Sequence, residues 1–413
     1  MMPRLALRNR GIALAASVAV LPLILSACTP PMPPDVLAAV AESQITCQSG
    51  NVSVAVPEEF LGSMDAVGMA LSGVCPDQTV TEVPVGDSAP VYITSGTPSA
   101  DEVSAFTSTQ CTAGNTVTIP AFGYQVTPAF NVIGLEGLTF TPEAVAGVLN
   151  GTVTSFEDPL IADANQGYDL TGLPEITVHS LDTPQGAVQA MTAWLAQQTP
   201  DTWTQGEVGT LSLGERYATL QELLDAMYSS DATFAILPTT TTVAAGLAPA
   251  SLPVYPVDES GAPTGDVAII TPEDTQLAKV GVGATIITKD EAGNMLASAA
   301  VGGLPNPESF DLAASRVVLQ EGQPLAGWPV VAIAHALICD TPDDPLPLSF
   351  AQYLVRLAGQ GSLEGYGLVP LPEPVRFQTF TPLKVTINTD APIDPEATGG
   401  ADTSTDGKDE VVE

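Results

Sequence analysis

Along the chain, the pattern of hydrophobic and polar positions alternates between one typical of strands and one typical of helices. This alternation predicts an α/β protein. Short runs rich in β-branched and aromatic residues predict buried strands. Apolar residues that recur every three or four positions predict helices between them. We predict strands at 51–56, 80–85, 90–94, 117–121, 124–132 and 232–237, and weaker strands at 254–256, 284–287 and 317–319. We predict helices at 58–71, 100–106, 142–150, 188–197, 219–228, 272–280, 307–314 and 348–357.

Residues 1–27 are typical of an export signal. Three arginines and no acids lie in residues 1–10, and residues 11–24 are an apolar run too short to span a membrane. The sequence Leu25-Ser26-Ala27-Cys28 is typical of a lipobox, which predicts that Cys28 is lipidated and becomes the mature N-terminus. An ordinary signal peptide with a chance cysteine is the alternative. Because two or more acyl chains anchor a protein firmly, we expect it at the outer face of the cell membrane.

Two segments of biased composition flank the folded part of the chain. Residues 28–44 are rich in proline and predict a stiff spacer. Residues 379–413 are acidic, contain many small residues and predict a disordered tail. The residues between these segments are numerous enough to form two domains with substantial cores.

The charge of the chain excludes one class of partner. The sequence has 47 acidic residues against 11 basic ones, and its formal net charge is −36. A nucleic-acid-binding protein needs a basic face, so we expect no nucleic-acid partner. A small anion is still compatible with this charge, because backbone N–H groups can hold an anion without a cationic side chain.

Four cysteines remain after the lipobox, and an exported protein meets an oxidising environment, so we predict two disulfides. Three pairings are possible. We favour Cys47–Cys75, since Cys47 precedes a predicted strand and Cys75 follows the next predicted helix, which places both at one sheet edge. Cys111–Cys339 is then the second pair. A zinc site is the alternative, but no spacing typical of zinc ligands is present.

The stretch that begins at Ile119 carries a resemblance to a known family. It reads IPAFGYQVTPAFNVIGLEGLTFTPEAVAGVLNGTVTSFEDPLIADANQG, and near the C-terminus residues 360–372 read QGSLEGYGLVPLP. In both places the chain resembles the PstS-type phosphate-binding proteins of bacterial ABC transporters. The residues that match the family pattern at the correct spacing are Asn131, Leu138, Gly151, Thr154, Phe156, Asp158, Pro159, Ile161, Asn165, Leu173, Pro174, Ile176 and Asp182.

The resemblance implies a periplasmic-binding-protein-like fold of type II, in which two α/β lobes are joined by two crossing strands. The first lobe is expected at 45–122 and 328–378, and the second at 123–327. The ligand is expected in the cleft between the lobes, where strand ends and helix N-termini face each other. Closure of the cleft is expected to be a hinge motion at the crossing strands.

The residues that bind phosphate in this family are mostly replaced. The family's RsDgSGT loop corresponds to residues 180–186, with Ser180 at the arginine position and only Asp182 matching. The family's proton-accepting aspartate is replaced by Gly96. Glu58 and Glu59 follow the first predicted strand, where two carboxylates would repel an anion. The polar residues that remain as candidates for ligand binding are Ser95, Thr97, Ser180, Asp182, Thr183 and Gln185. For each of them, capping of a loop is the alternative role.

No pattern of catalytic residues stands out, so we predict that the protein is not an enzyme and uses no cofactor. Its two histidines, His179 and His335, have no nucleophile nearby in sequence. The chain has no G-x-S-x-G, P-loop or H-E-x-x-H motif. Three acids at 340–344 lie among prolines and predict a solvated loop; calcium binding is the alternative, but the EF-hand spacing is missing. We predict no metal site.

Two functions from different classes follow from the sequence. The first is a lipid-anchored solute-binding protein that captures phosphate or another small molecule and delivers it to an ABC permease. The second is a surface-anchored interaction or sensing module that keeps the scaffold without transporting phosphate. The matched scaffold favours the first function, and the replaced ligand residues favour the second.

Overall fold

The computed structural model describes residues 40, 42–254, 268–270, 285–289, 295–299, 328–371 and 373–385. The predicted signal peptide, Cys28, most of the predicted spacer and most of the predicted tail lie outside these residues. The helices predicted at 272–280 and 307–314 and the strand predicted at 317–319 also lie outside them. In the part of the chain that is described, no helix is long and apolar enough to cross a membrane.

Three parallel strands form the first half of a mixed sheet. β1 (Gly50–Val56) pairs with β2 (Gln78–Pro84) on one side and with β3 (Val91–Thr94) on the other. The helices α1 (Ser63–Val74) and α2 (Ala100–Gln110) follow β1 and β3 in the chain. Because the strands are parallel, the loops that leave the carboxyl ends of β1 and β3 lie at the same edge of the sheet.

The first helix is shorter than the prediction at 58–71. Residues Glu58–Phe60 form a separate 3-10 turn, and α1 begins only at Ser63. Gly62 has a φ of 88°, a left-handed conformation that glycine adopts without strain and that interrupts a helix. The chain therefore turns between Glu58 and Ser63, and the two glutamates lie on a loop.

β4 (Asn115–Asn131) is a continuous strand of 17 residues that joins the two halves of the sheet. Its first part pairs antiparallel with β13 (Val331–Asp340), which in turn pairs with β3. Its last part pairs antiparallel with β7 (Thr233–Pro238). The sheet order is β2-β1-β3-β13-β4-β7-β5-β6, where β5 is Thr177–Leu181 and β6 is Glu215–Tyr217. β4 therefore belongs to both halves.

The predicted break between strands at 117–121 and 124–132 is wrong. Pro120 lacks an N–H group, which normally excludes proline from a central strand. Here the register with β13 shifts at His335, which lies opposite Pro120, and Ala121 is the extra residue of a β-bulge. The bulge accommodates the proline without ending the strand.

The second half of the sheet continues from β7. β7 pairs in parallel with β5 (Thr177–Leu181), which pairs in parallel with β6 (Glu215–Tyr217). The helices that surround this half are α3 (Pro142–Asn150), α4 (Pro159–Ala162), α5 (Gly186–Gln198), α6 (Leu220–Ser229) and α7 (Thr239–Ala244). Among the short strands, β8 (Ala248–Pro249) pairs with the last part of β4, and β9 (Leu252–Val254) and β10 (Ala268–Ile270) form a separate two-stranded sheet. β11 (Thr285–Lys289) pairs with β12 (Met295–Ala299), which pairs with the first part of β4.

The chain returns through β13 to the first half of the sheet. The elements that follow β13 are α8 (Leu346–Leu354), α9 (Leu357–Leu363), β14 (Leu368–Val369) and α10 (Glu373–Phe380). Phe380 and Leu383 are buried in the core. The folded chain therefore continues past residue 379, where the sequence predicts that a disordered tail begins. The lobe boundaries remain a prediction, while the two-lobed α/β architecture is confirmed.

One of the two predicted disulfides is formed. Cys47 and Cys75 are bonded, with their Cα atoms 5.4 Å apart. Cys111 and Cys339 are instead buried free thiols, so the second predicted disulfide is absent from the structure. The Cys111 thiol donates to the Asn115 carbonyl at 3.2 Å, and the Cys339 thiol donates to a different backbone carbonyl. The neighbouring Cys339 thiol lowers the pKa of Cys111.

Candidate functional site

Two neighbouring cavities lie between the halves of the sheet and share Glu58, Glu59 and Leu220 in their walls. The first, which we call the loop cavity, has a volume of about 550 Å³. The loops that line it follow β1, β3, β5 and β6 and include residues 57–59, 94–99, 183–186 and 218–220. The second, which we call the helix cavity, has a volume of about 800 Å³ and lies between residues 58–63, α6, α7 and Tyr366.

The structure brings together four of the six residues that the sequence predicts as ligand-binding candidates. Ser95, Thr97, Thr183 and Gln185 all line the loop cavity, although Ser95 and Thr97 come from one half of the sheet and Thr183 and Gln185 from the other. This arrangement is what a cleft between two lobes requires. Whether these residues bind a ligand remains a prediction.

The other two candidates, Ser180 and Asp182, do not line the loop cavity. Ser180 is buried within β5, and its hydroxyl makes no hydrogen bond within the described part of the chain. Asp182 lies just after β5, where its backbone N–H donates to the Tyr217 carbonyl at 2.9 Å. Ser180, which the sequence comparison aligns with the family's arginine, therefore lies inside a strand and outside the wall of the loop cavity.

The two halves touch directly at one point of the loop cavity. The Gly186 N–H, at the start of α5, donates to the Ser95 hydroxyl at 3.1 Å. A Cβ atom on Gly186 would lie 1.8 Å from the Ser95 carbonyl oxygen, and one on Gly96 would lie 2.1 Å from Gln189 Oε1. Glycine at 96 and 186 therefore permits this close contact, since any side chain would push the halves apart. The Tyr124 hydroxyl, on the crossing strand β4, also donates to the Ser95 carbonyl at 2.6 Å.

Helix N-termini near the cavities are capped by side chains of the protein itself. At α1, the Glu82 carboxylate accepts hydrogen bonds from the Gly62 N–H at 2.7 Å and from the Met64 N–H at 2.6 Å. At α2, Ser99 and Glu102 form a reciprocal capping box. Free N–H groups at a helix start attract anions. At these two helices a carboxylate already occupies that position.

The α6 N-terminus is capped in the same way. The Thr219 hydroxyl accepts from the Glu222 N–H at 3.2 Å, and the Glu222 carboxylate accepts from the Ala218 N–H at 3.2 Å. Of the helices that line the cavities, α5 and α7 begin without a side-chain cap, and the first N–H group of α5 is bound by Ser95. The backbone donors that could have held a small anion are thus largely used within the protein.

The walls of both cavities are acidic. Glu58 and Glu59 line both, Glu102 lines the loop cavity, and Asp225 lines the helix cavity. None of the described residues that line either cavity is a lysine, arginine or histidine. Burial raises the pKa of Glu59, and repulsion from Glu58 raises it further. An anion would gain no charge pairing here.

Several residues of the site are not among the sequence candidates. Glu102, Tyr92 and Gln189 line the loop cavity. Glu102 could have been found from its spacing to Ser99, because Ser-x-x-Glu before a helix is the signature of a capping box. No local signal identifies Tyr92 or Gln189, whose places depend on how the two halves meet.

The histidines and the acids at 340–344 have structural partners. His179 Nδ1 lies 2.9 Å from the Tyr217 hydroxyl, which donates to Glu215 at 2.8 Å. His335 is fully buried in β13, and Asp340 is bonded to Lys384 at 2.7 Å. Over the described residues, no group of three or more histidine, cysteine, aspartate or glutamate side chains is arranged to hold a metal ion.

Comparison with known proteins identifies the fold. No protein-family model matches the chain, and no curated protein sequence matches it. A high-affinity periplasmic phosphate-binding protein, PfluDING, solved with bound phosphate, has a TM-score of 0.50 and 13% identity over 81% of this chain and 93% of its own. A DING protein has a TM-score of 0.50 and 11% identity over 80% of this chain and 94% of its own.

A phosphate-binding protein from Stenotrophomonas maltophilia has a TM-score of 0.45 and 14% identity over 81% of this chain and 94% of its own. At such low identities a structural match establishes the fold alone. The fold is the two-lobed α/β architecture of periplasmic binding proteins, which confirms the fold class that the sequence predicts. PfluDING and the Stenotrophomonas maltophilia protein are named as phosphate-binding proteins.

Proposed function

We propose that this chain is an extracytoplasmic solute-binding protein that is anchored to the outer face of the cell membrane through a lipidated Cys28 and delivers its ligand to an ABC permease. The observation that carries this proposal is the cleft in which Ser95 and Thr97 of one half of the sheet face Thr183 and Gln185 of the other. A cavity of this size, lined by loops of two lobes, is typical of small-molecule sites.

Phosphate is the first ligand to test, because structurally similar proteins bind it. In this chain a phosphate ion would depend on hydroxyl groups such as those of Ser95 and Thr97, without a cationic side chain in the described cavity wall. Glu58 and Glu59 would oppose it by repulsion over a short distance. We therefore expect phosphate to bind weakly, if it binds, and expect another solute to be the main ligand.

The proposal assigns the protein a binding role without catalysis. His179 Nδ1 lies 2.9 Å from the Tyr217 hydroxyl, and His335 is fully buried in β13 and does not line either cavity. Neither arrangement provides a nucleophile and base at the cleft wall. Transfer of the solute to a permease needs only capture, closure and release.

A thermal-shift titration of the full chain in detergent tests this function. Phosphate, sulfate, sugars, amino acids and amines are each titrated, and a solute that binds the folded protein raises the melting temperature by mass action. The matched variant is Thr97→Val, which removes one cleft hydroxyl and keeps the shape. A saturable shift that this variant weakens supports the proposal. Absence of a shift with every solute would refute it.

The alternative is an interaction or sensing module, which the Ser95–Gly186 contact favours because the two halves bond directly to each other within the cleft. The two functions differ in whether the protein changes shape on binding. Small-angle scattering of the full chain with a solute that shifts the melting temperature distinguishes them. A change in radius of gyration favours solute capture and delivery, whereas no solute response favours the module.

A further inference from the structure

The helix cavity combines an apolar wall with an aromatic rim. Leu220 and Leu224 of α6 and Leu368 of β14 line its wall. At its rim the side chains of Tyr228 and Tyr366 are 69% and 40% exposed. Large apolar and aromatic side chains that remain exposed around one cavity are typical of a binding site.

Among the described residues, the carboxylates of this cavity have no cationic partner. Glu58 and Glu59 are on the turn that forms its floor, and Asp225 is on α6. The two ion pairs among the described residues are formed by Glu42 and Asp340, which do not line this cavity. Asp225 accepts one hydrogen bond, from Gln221 Nε2 at 2.8 Å. Glu58 and Asp225 are exposed, whereas Glu59 is partly buried, and a partly buried carboxylate is costly to keep charged unless a cation or a donor reaches it.

A buried hydroxyl provides an independent sign of a ligand. Ser63 lines the helix cavity and is fully buried, and its Oγ makes no hydrogen bond within the described part of the chain. The neighbouring N–H groups of Gly62 and Met64 are taken by Glu82. A buried hydroxyl without a partner is uncommon in folded proteins. A polar group of a ligand could satisfy it.

We propose that the helix cavity binds an organic cation, an amine or quaternary ammonium compound with an apolar body. The cationic group lies against Glu58 and Glu59, and the apolar body packs on Leu224. The rings of Tyr228 and Tyr366 at the rim add aromatic contact surface for the apolar body. An anion would be repelled, and a neutral solute would leave both glutamates without a partner. This inference names the ligand class of the solute-binding function proposed above and rests on it.

The test is a calorimetric and thermal-shift titration of the full chain in detergent with choline, benzyltrimethylammonium and putrescine. The neutral isostere of choline, 3,3-dimethylbutanol, and inorganic phosphate are titrated in parallel. We expect at least one cation to bind and its affinity to fall with added salt. We expect the neutral isostere to bind at least about tenfold more weakly than choline, since it lacks the charge.

Matched variants locate the site. Glu59→Gln keeps the shape of the side chain and should weaken cation binding by about tenfold or more. Asp225→Asn, at an exposed position of α6, should weaken it less and provides a second test if Glu59→Gln does not fold. Glu136→Gln is the control, because Glu136 is exposed in the turn after β4 and lines neither cavity.

The outcomes separate this inference from the function on which it rests. Cation binding that Glu59→Gln weakens and Glu136→Gln leaves unchanged supports the inference. Binding of phosphate, a sugar or 3,3-dimethylbutanol without binding of any cation would overturn it and leave solute binding standing. Cation binding that Glu59→Gln and Asp225→Asn both leave unchanged would also overturn it. Binding of no solute at all would overturn both proposals.

Discussion

Acidification should destabilise the fold through one buried histidine. His335 lies in β13, between β3 and β4, and is 0% exposed. Its Nδ1 lies 3.2 Å from the Ile333 carbonyl, and its Nε2 makes no hydrogen bond within the described residues. Burial lowers the pKa of His335 from 6.5 to about 4, although hydrogen bonds to backbone groups oppose part of this shift.

The size of the effect follows from the two pKa values. Because the folded-state pKa is the lower one, the unfolded chain binds a proton that the folded protein does not, between pH 6.5 and about 4. Stability is therefore fully present above 6.5 and decreases as the pH falls towards 4. When the pH falls from about 7.5 to about 5, the free energy of unfolding should decrease by about 2 kcal/mol, which raises the unfolding equilibrium constant about 30-fold.

Urea unfolding at the two pH values measures this loss. The sequence has two histidines, so His335→Gln and His179→Gln together account for all histidine titration. The His335→Gln variant should lose about 2 kcal/mol less than the wild type on acidification, whatever its absolute stability. The His179→Gln variant retains His335 and should still show that loss. Equal pH dependence of the wild type and His335→Gln would refute the reasoning.

Three further substitutions test other parts of the structure. Glu82→Gln removes the charge that caps α1 and should lower the free energy of unfolding by about 1 kcal/mol in urea; an unchanged midpoint would contradict this role. Gly186→Ala places a Cβ atom against the Ser95 carbonyl and should separate the lobes, which scattering would detect as a larger radius of gyration, whereas an unchanged radius would argue against the contact. Cys47→Ser opens a disulfide between residues 28 positions apart and should cost about 3 kcal/mol; a calorimetric melting temperature equal to that of the wild type would disagree.

Local signals predicted the helices well where a cap and a breaker lie close together in sequence. For α3, the Thr141 hydroxyl accepts from the Ala144 N–H at 3.1 Å, and Gly151 ends the helix with a φ of 79°. Both features can be read from the sequence, since Thr before Pro starts a helix and Gly ends one. The prediction of this helix is confirmed.

Features that depend on distant partners were predicted less well. The continuity of β4 requires β13, whose register shift accommodates Pro120. The free thiols of Cys111 and Cys339 likewise donate hydrogen bonds to two backbone carbonyls, those of Asn115 and Gln110. Local composition does not reveal a strand partner about 200 residues away or a backbone acceptor. The Trp328–Val126 hydrogen bond, for example, joins residues 202 positions apart.

In the candidate site, too, some positions are predictable from the local sequence and others depend on the fold. The loop positions of Ser95, Thr97, Thr183 and Gln185 were predictable, because each lies just after a strand end in a fold recognised from its motifs. The exclusion of Ser180 was not predictable, because it depends on where β5 ends. The sequence placed Ser180 in the ligand loop, and the structure places it one residue inside the strand.

The capped helices and the acidic cavity walls both disfavour a bound anion. N–H groups at a helix start that faces a cavity must find an acceptor, either from a ligand anion or from the protein. In this chain the acceptors are the carboxylates of Glu82, Glu102 and Glu222. Once these carboxylates are in place, a bound anion gains no free donor there and meets added negative charge. The cavity walls add the carboxylates of Glu58, Glu59 and Asp225, so the capped helices and the lining of the cavities both oppose an anion, in keeping with the cation proposed above.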